Sequence, residues 1–436
     1  MSIATPSQST AVSPGSSSSY KGPLAVVTTL FFMWGFLTCL NDILVPHLKP
    51  IFDLDYTEIM LIQFAFFGAY FLFSIPSAKV IDWIGYQRSM VVGLLTMGLG
   101  AFLFVPAASV PSYPLFLIAL IVLAAGITCL QVAANPYVTV LGKPETASSR
   151  LNLTQAFNSL GTFLAPFFGG LLILSTTPKS MEEIRAMAPA ALQSYRLHEA
   201  ATVKTPYVGL GIALVLLAVA IASFKLPRIP QAQHKVGEKV NDSIWRHPNL
   251  IFGAIGIFVY VGAEVAIGSF LVNYFSQPDI GGMTERVAAG FVAFYWGGAM
   301  VGRFIGSGLL QKIRTGHLLG ICAVCAASLV TISMLSTGHF AMWSIILVGF
   351  FNSIMFPSIF TLGVAELGPL TGDGSGIMIM AIVGGALIPL AQGAIADKIG
   401  IHHAFFLPVI CYLYVLFFAL SGSKPNSERH ARSQMG

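Results

Sequence analysis

Charged side chains are scarce in this sequence. Asp, Glu, Lys and Arg make up 9% of its 436 residues, against about 25% in a soluble globular protein. Hydrophobic residues make up 55%, and glycine (43) and phenylalanine (33) are both abundant. This composition predicts a protein that crosses a membrane several times. The net charge of +5 does not indicate a nucleic-acid partner, because no basic-aromatic pattern accompanies it.

Cysteine is also rare, and its placement is uninformative. Five cysteines all lie inside apolar segments, and the one C-x-x-C pair has no histidine close by. We therefore expect small packing residues, with no disulfide and no metal site. The five are Cys39, Cys129, Cys322, Cys325 and Cys411.

Catalytic motifs are absent as well. The sequence has no P-loop or nucleotide domain, which argues against ATP-driven transport, and no Ser/His/Asp or Cys/His set, which makes an enzyme the weakest alternative. We expect no cofactor. The first twenty residues lack charge and a long apolar run, so we interpret residues 1–23 as a disordered tail rather than a secretory signal.

Apolar stretches long enough to span a bilayer recur twelve times, since a spanning helix needs about 20 apolar residues. Two polar stretches, 176–205 and 225–247, interrupt them. We predict an N-terminal six-helix bundle (24–224), a cytoplasmic linker (225–247), a C-terminal six-helix bundle (248–421) and a tail (422–436). The twelve segments are 24–48, 58–81, 87–107, 114–141, 151–175, 206–224, 248–275, 286–311, 315–336, 340–366, 375–397 and 402–421.

Basic residues predict the orientation. If the N-terminus is cytoplasmic, 16 of the 23 Lys and Arg residues lie on the cytoplasmic side, as the positive-inside rule requires. We therefore expect both termini to lie in the cytoplasm. We also expect a multi-pass protein of the plasma membrane, in bacteria the inner membrane, without a partner subunit.

The two halves resemble each other. The run "FFMWGFLTCLNDIL" in segment 1 aligns with "FVYVGAEVAIGSFL" in segment 7, which pairs Gly35 with Gly262. In segments 4 and 10, "ANPYVTVLG" and "MFPSIFTLG" pair Pro136 with Pro357 at a similar offset. Two six-helix repeats with a binding site between them are typical of a transporter.

A charged turn follows segment 2. The run "PSAKVIDWIGYQR" resembles the loop signature of the major facilitator superfamily, with Asp82, Gly85 and Arg88 at the recognisable positions. The run "GRFIGSGLLQKI", which contains Arg303, occupies the equivalent place after segment 8. We interpret these four residues as a latch that holds the halves in one state; the alternative is solvated loop charge.

Amides are spread over the apolar segments, where each polar group needs a partner or a cavity. An amide both donates and accepts hydrogen bonds without the desolvation cost of a charge, which suits a polyhydroxyl ligand such as a sugar. The alternative for any one amide is a bond between packed helices. We predict ten substrate-binding residues: Asn41, Gln63, Gln131, Asn135, Gln155, Asn158, Asn273, Asn352, and the aromatic Tyr295 and Trp296.

Two carboxyl groups lie deep in the segments, Asp42 in segment 1 and Glu264 in segment 7. A carboxyl group desolvated inside a helix bundle can titrate nearer neutrality. It can carry a proton, or bind sodium when it is ionised, and either would couple solute movement to an ion gradient. We predict both residues to be ion-coupling, with Glu264 either a second ion ligand or an acceptor for a sugar hydroxyl.

Five runs together resemble the fucose–galactose–glucose:proton symporter family, within the major facilitator superfamily: "LNDILVP", "AANPYVTVLG", "RLNLTQAFNSLG", "YVGAEVAIGSFLVNYF" and "GRFIG". The resemblance covers residues 24–421 and implies an all-α fold of twelve transmembrane helices in two pseudo-symmetric bundles. It also implies that Asp42 is the coupling acid. The family's fucose branch has Glu where this chain has Gln131, and Gln where it has Glu264, which argues against fucose as the substrate. The run "YVGAEVAIGSFLVNYF" is more similar to the family's glucose/galactose branch.

The sequence therefore predicts a cation-coupled symporter that imports a hexose of the glucose/galactose type, with a proton as the expected ion. N-acetylglucosamine, mannose or fucose as substrate, and sodium as ion, stay open. Two rivals are a drug or metabolite exporter on the same fold and a membrane sensor that binds sugar without transport.

Overall fold

The computed structural model describes residues 20–52, 56–110, 112–173, 183, 186–228 and 242–424. Within the helices, side chains are not described at 40–52, 56–60 and several other positions, which include Asn41, Asp42 and Gln63. The predicted tails, apart from their inner ends, and most of the predicted linker lie outside the described residues.

In the part of the chain that the structure describes, twelve helices follow the twelve predicted segments, and we number them α1 to α12 accordingly. One helical run, Tyr56–Ser109, covers segments 2 and 3 and leaves helical geometry at Gly85, where φ is 80°; α2 precedes this residue and α3 follows it. The others are α1 Lys21–Phe52, α4 Tyr113–Val140, α5 Ala147–Ile173, α6 Pro189–Ser223, α7 Pro248–Ser276, α8 Glu285–Leu309, α9 Thr315–Leu335, α10 Gly338–Gly363, α11 Gly368–Ile399 and α12 Ile401–Gly422.

The described chain has ten helical stretches long and apolar enough to cross a membrane. One of them, Phe64–Ser109, is 46 residues long and holds two crossings, since about 20 residues suffice for one. The helix α5, which carries Arg150 and several amides, is not among the ten. With these twelve helices and no strand among the described residues, the structure confirms the predicted fold class.

Two boundaries differ from the sequence prediction. The polar connection predicted over 176–205 was wrong from residue 189 onward, because α6 begins at Pro189. Residues 189–205 are rich in Ala, Leu and other helix formers, and a proline fits the first turn; hydropathy had located only the apolar part of this helix. Similarly, α1 begins at Lys21, inside the predicted tail.

Equivalent glycines bring helices together in both halves. A Cβ on Gly35 of α1 would fall on the backbone carbonyl of Asn158 in α5. A Cβ on Gly262 of α7 would fall on Ile388, and would lie 3.0 Å from the carbonyl oxygen of Gly384, both in α11. Helix pairs α1–α5 and α7–α11 hold matching places in the two bundles, so the aligned glycines serve the same close helix packing.

Two aligned prolines each free a backbone carbonyl. Because proline has no N–H, Pro136 of α4 cannot bond to the carbonyl of Val132, and Pro357 of α10 cannot bond to that of Ser353. Both carbonyls instead accept a side-chain donor: Val132 O accepts from Ser375 Oγ at 2.8 Å, and Ser353 O accepts from Arg303 Nε at 3.3 Å. Neighbouring helices thus satisfy the polar groups that proline exposes.

The halves meet through α2 and α4 against α11, and through α5 against α8 and α10. The contacts are hydrogen-bonded: Ser149 Oγ donates to Ser307 O at 2.7 Å, and Ser148 Oγ lies 2.5 Å from Thr361 Oγ1. These contacts lie near the ends of the helices that face the side assigned to the cytoplasm by the basic residues. The bundles are therefore closed against each other on that side.

Candidate functional site

A cavity of about 120 Å³ lies inside the N-terminal bundle, among α1, α2, α4 and α5. Its wall combines two aromatic rings with hydroxyl groups and an amide. Such a mixed lining can cover the apolar face of a small polyhydroxyl ligand and bond to its hydroxyl groups. The lining residues are Trp34, Gly35, Thr38, Cys39, Tyr70, Ile127, Asn158 and Thr162.

The predicted amides of α4 and α5 form a buried layer beside this cavity. Gln131 Nε2 donates to Tyr70 OH at 2.7 Å, and Gln155 Nε2 donates to Asn135 Oδ1 at 3.4 Å. Each of these amides is at most 8% exposed. Asn135 Nδ2 has no hydrogen-bond partner among the described residues, so this layer retains one unused donor.

Asn158 differs from the other three because it also lines the cavity. Its Nδ2 donates to the backbone carbonyl of Phe31 in α1 at 3.0 Å. Thr162, one turn further along α5, bonds to the carbonyl of Asn158 and, at 3.4 Å, to that of Gly35. Of the predicted binding amides whose side chains are described, Asn158 is the one in the cavity wall; the same residue holds α5 against α1.

A second polar cluster lies in the C-terminal bundle, around Glu264. Tyr260 OH lies 2.8 Å from Glu264 Oε1 and 3.0 Å from the backbone oxygen of Asn352. Asn352 Nδ2 donates to Tyr295 OH at 2.9 Å, and Tyr295 OH donates to the backbone oxygen of Glu264 at 3.4 Å. The structure thus brings three predicted residues, from α7, α8 and α10, into one network with Tyr260.

The remaining predicted residues are placed less centrally or not described. Trp296 is 46% exposed and its ring lies against Gly268, while Asn273 is exposed on α7. Asn41, Asp42 and Gln63 lie on α1 and α2, but their side chains lie outside the described residues. Along α1, Asp42 follows the cavity residue Cys39 by three positions.

Only some of the predicted latch residues lie near the contact between the two bundles. Asp82 is 6% exposed in its side chain, and its Oδ2 lies 3.5 Å from Lys79 Nζ. The same Lys79 pairs with Asp373 of α11 at 2.7 Å, which joins the two bundles. Gly85 adopts a positive φ, which glycine tolerates, and so supplies the break that separates α2 from α3, whereas Arg88 is exposed.

Arg303 bridges the halves from the last third of α8. Besides the bond to Ser353 in its own half, its guanidinium donates to Ser159 Oγ in α5. The backbone oxygen of Arg303 accepts from Asn152 Nδ2, also in α5, at 2.7 Å. Arg303 therefore lies deeper than the charged turn after α2 with which the sequence paired it.

Sequence reasoning missed four contributors: Tyr260, Trp34, Ser375 and the Lys79–Asp373 pair. Tyr260 precedes Glu264 by four residues, a helical spacing that could have shown it. The proline at position 136 signals a free carbonyl, but not which hydroxyl would fill it. The partner of Lys79 lies 294 positions away in sequence, and no local pattern could have indicated it.

Comparisons with known proteins agree with the fold. The family model described as Major Facilitator Superfamily matches residues 26–382. A "Glucose/galactose transporter" of Brucella abortus is 54% identical over 409 residues, which are 94% of this chain and 96% of that protein. An "L-fucose-proton symporter" of Escherichia coli is 36% identical, over 93% and 94% of the two chains. The crystal structure of FucP, a transporter of this superfamily, in the outward conformation has a TM-score of 0.86 at 34% identity, and covers 93% of this chain and 100% of its own.

Proposed function

We propose that this chain, which belongs to the major facilitator superfamily, imports a hexose of the glucose/galactose type together with a proton. The observation that carries this proposal is the cavity lined by Trp34, Tyr70, Asn158 and two threonines, in a chain 54% identical to a glucose/galactose transporter. The name of the fucose–proton relative supports the proton as the coupling ion.

Transport would proceed by alternating access, and the structure supports an outward-facing state. The halves are joined by Lys79–Asp373 and Ser375–Val132 on the side predicted to be cytoplasmic. The solved structure in the outward conformation superposes well. A hexose would enter the cavity from outside, and the bundles would then rock about it until the cytoplasmic contacts separate.

Some cavity residues would stack on the sugar, and others would form hydrogen bonds with it. The rings of Trp34 and Tyr70 would cover the apolar C–H face of the sugar, and Asn158 with Thr162 would bond to its hydroxyl groups. Gln131 holds the hydroxyl of Tyr70 at 2.7 Å, which fixes the orientation of that ring. Gln155 and Asn135 would support this wall from behind.

Asp42 would couple sugar movement to the proton. A carboxylate in the central part of a membrane protein is costly, and protonation removes that cost, so the loaded carrier could close. Asp82, Gly85 and Arg88, with Arg303, would form the conformational latch. We further propose a monomer in the bacterial inner membrane with both termini cytoplasmic.

Uptake by proteoliposomes tests the function. A panel of glucose, galactose, N-acetylglucosamine, mannose and fucose is offered while proton and sodium gradients are imposed separately. We expect accumulation of glucose or galactose driven by the proton gradient. Accumulation driven by sodium alone would overturn the assigned ion, and binding without flux would favour a sugar sensor instead.

The role of Asp42 has its own test. Asp42→Asn is permanently uncharged, so we expect it to lose gradient-driven accumulation while it retains exchange of labelled hexose across the membrane. Accumulation that survives this substitution would show that another group couples the ion. Wild-type protein in the same vesicles, without a gradient, is the reference for exchange.

A further inference from the structure

The carboxyl group of Glu264 has a hydrogen-bonding environment that depends on its own proton. Tyr260 OH lies 2.8 Å from Glu264 Oε1 and 3.0 Å from the backbone oxygen of Asn352. Tyr260 is 0% exposed, so water does not share in these contacts. A phenolic hydroxyl carries one proton, and a backbone carbonyl can only accept.

Both contacts can be full hydrogen bonds in one arrangement only. Tyr260 must donate its proton to Asn352 O, and Glu264 must then donate to Tyr260, which requires a protonated carboxyl group. If Glu264 is ionised, Tyr260 donates to the carboxylate, and two acceptor oxygens, those of Tyr260 and Asn352, face each other at 3.0 Å without a proton between them. Leaving the buried carbonyl without this bond is unfavourable.

The network also fixes the position of Glu264. Tyr295 OH accepts from Asn352 Nδ2 and donates to the backbone oxygen of Glu264, so α7, α8 and α10 are tied together at this level. The Glu264 residue itself remains partly exposed. Its proton can therefore exchange with solvent through the exposed part of the residue, while the Tyr260 side is buried.

The charged and titratable described groups that act on Glu264 come from three helices. They are Tyr260 on α7, Tyr295 and Arg303 on α8, and Tyr412 on α12. The guanidinium of Arg303 bonds to Ser353 O and Ser159 Oγ, and no ion pair joins it to Glu264 among the described contacts. No group in this set neutralises an ionised Glu264 by direct contact.

We propose that Glu264 is a proton-binding site in the C-terminal half, occupied in this conformation, and that Tyr260 changes its hydrogen-bond partner when the proton leaves. The proton moves from water to a carboxylate oxygen of Glu264 and later returns to water, so no other reactant is needed. This inference rests on the proposed function for its role in transport, and it assigns Glu264 to the ion rather than to the sugar.

Infrared difference spectroscopy of the full-length protein in lipid nanodiscs tests the site directly. The spectrum of Glu264→Gln is subtracted from that of the wild type at neutral pH, without sugar and without sodium. We expect a carboxylic C=O stretch from protonated Glu264 that disappears as the pH is raised. Absence of this band at neutral pH would overturn the proposal, and so would its loss when sodium chloride replaces choline chloride.

Two tyrosine variants provide a matched pair that does not depend on how well Glu264→Gln folds. Tyr260→Phe removes only the hydroxyl that accepts from Glu264, so the band should shift in frequency. Tyr274→Phe removes a hydroxyl on the same helix that bonds to Ser333, and it should leave the band in place. Equal effects of the two variants, or no effect of Tyr260→Phe, would overturn the assignment.

The same sample separates this inference from the proposed function. A protein that transports no hexose but shows the band and its Tyr260 dependence would overturn the transport proposal and leave the proton site standing. A protein that transports hexose with a proton gradient but lacks the band would overturn the assignment of Glu264 alone.

Discussion

The hydroxyl of Ser375 should control the balance between the two states of the protein. It lies on α11, is 0% exposed, and donates at 2.8 Å to the carbonyl of Val132 on α4 in the other half. That carbonyl has no helical donor at position 136, because Pro136 lacks an N–H. Ser375→Ala therefore removes a bond that exists only while the halves are closed on this side.

The size of the effect follows from the cost of an unpaired buried carbonyl, about 1–3 kcal/mol. Val132 is 0% exposed in the closed arrangement, whereas separation of α4 from α11 would let water reach it. Because about 1.4 kcal/mol corresponds to a tenfold change in an equilibrium constant, Ser375→Ala should shift the balance toward the separated state by about 5-fold to about 140-fold.

Distances between two spin labels measure this balance. Labels at Trp83, at the end of α2, and Gln311, just after α8, lie on exposed positions of different halves, in a variant whose five cysteines are replaced. The areas of the short and long distance populations give the equilibrium constant. Ser344→Ala is the control, since Ser344 Oγ bonds to Phe340 O within its own helix.

A double-mutant cycle tests the cause. Pro136→Ala restores an N–H that can bond to the carbonyl of Val132, so Ser375→Ala should shift the distances less in that background. Equal shifts in both backgrounds would refute the role of the proline, and an unchanged distance ratio in Ser375→Ala alone would refute the reasoning as a whole.

Two further substitutions probe packing and surface charge. Gly349→Ala should lower the unfolding temperature in detergent, because its Cβ would fall on the backbone carbonyl of Tyr295 and such overpacking costs about 1–3 kcal/mol. The control Gly290→Ala, where the space is open, should leave the unfolding temperature unchanged. Equal effects of the two substitutions would contradict this account. Asp373→Asn removes the pair with Lys79, whose side chain is 48% exposed. Because such an exposed pair contributes about 0.2–1 kcal/mol, the ratio of the two spin-label distance populations should change by no more than about fivefold. High salt should reduce this difference, and a difference that persists in high salt would show that the pair does not act by surface electrostatics.

The fold was largely predictable because the bilayer sets the length of each helix. Twelve apolar runs indicated twelve helices, and the structure places a helix at each. The prediction failed where a helix extends beyond its apolar part, as α6 does from Pro189, since a polar helix outside the hydrocarbon leaves no hydropathy signal. Aligned glycines and prolines also indicated the repeat correctly, because close helix packing and missing N–H groups leave a mark at single positions.

The site was predictable in its residue types more than in its contacts. Intramembrane amides indicated buried polar groups, yet Gln131 and Asn352 bond to tyrosine hydroxyls, and the sequence does not show which tyrosine. Asn158 lines the cavity, while Asn273 is exposed on α7. Whether a polar residue in a helix faces a neighbour or a cavity depends on the rotation of that helix, which tertiary packing decides.

The two prolines, Pro136 and Pro357, each leave a backbone carbonyl without its helical donor, and the two carbonyls make different contacts. In α4, the carbonyl freed by Pro136 accepts from Ser375 in the opposite half. In α10, the carbonyl freed by Pro357 accepts from Arg303 in its own half. Separation of the halves would break the first bond and can leave the second intact, although Arg303 would lose its contact with Ser159. The two prolines therefore hold equivalent backbone positions but affect the stability of the closed arrangement differently. The carbonyl freed in α4 bonds directly to the opposite half, whereas the carbonyl freed in α10 positions Arg303, which bonds to the opposite half.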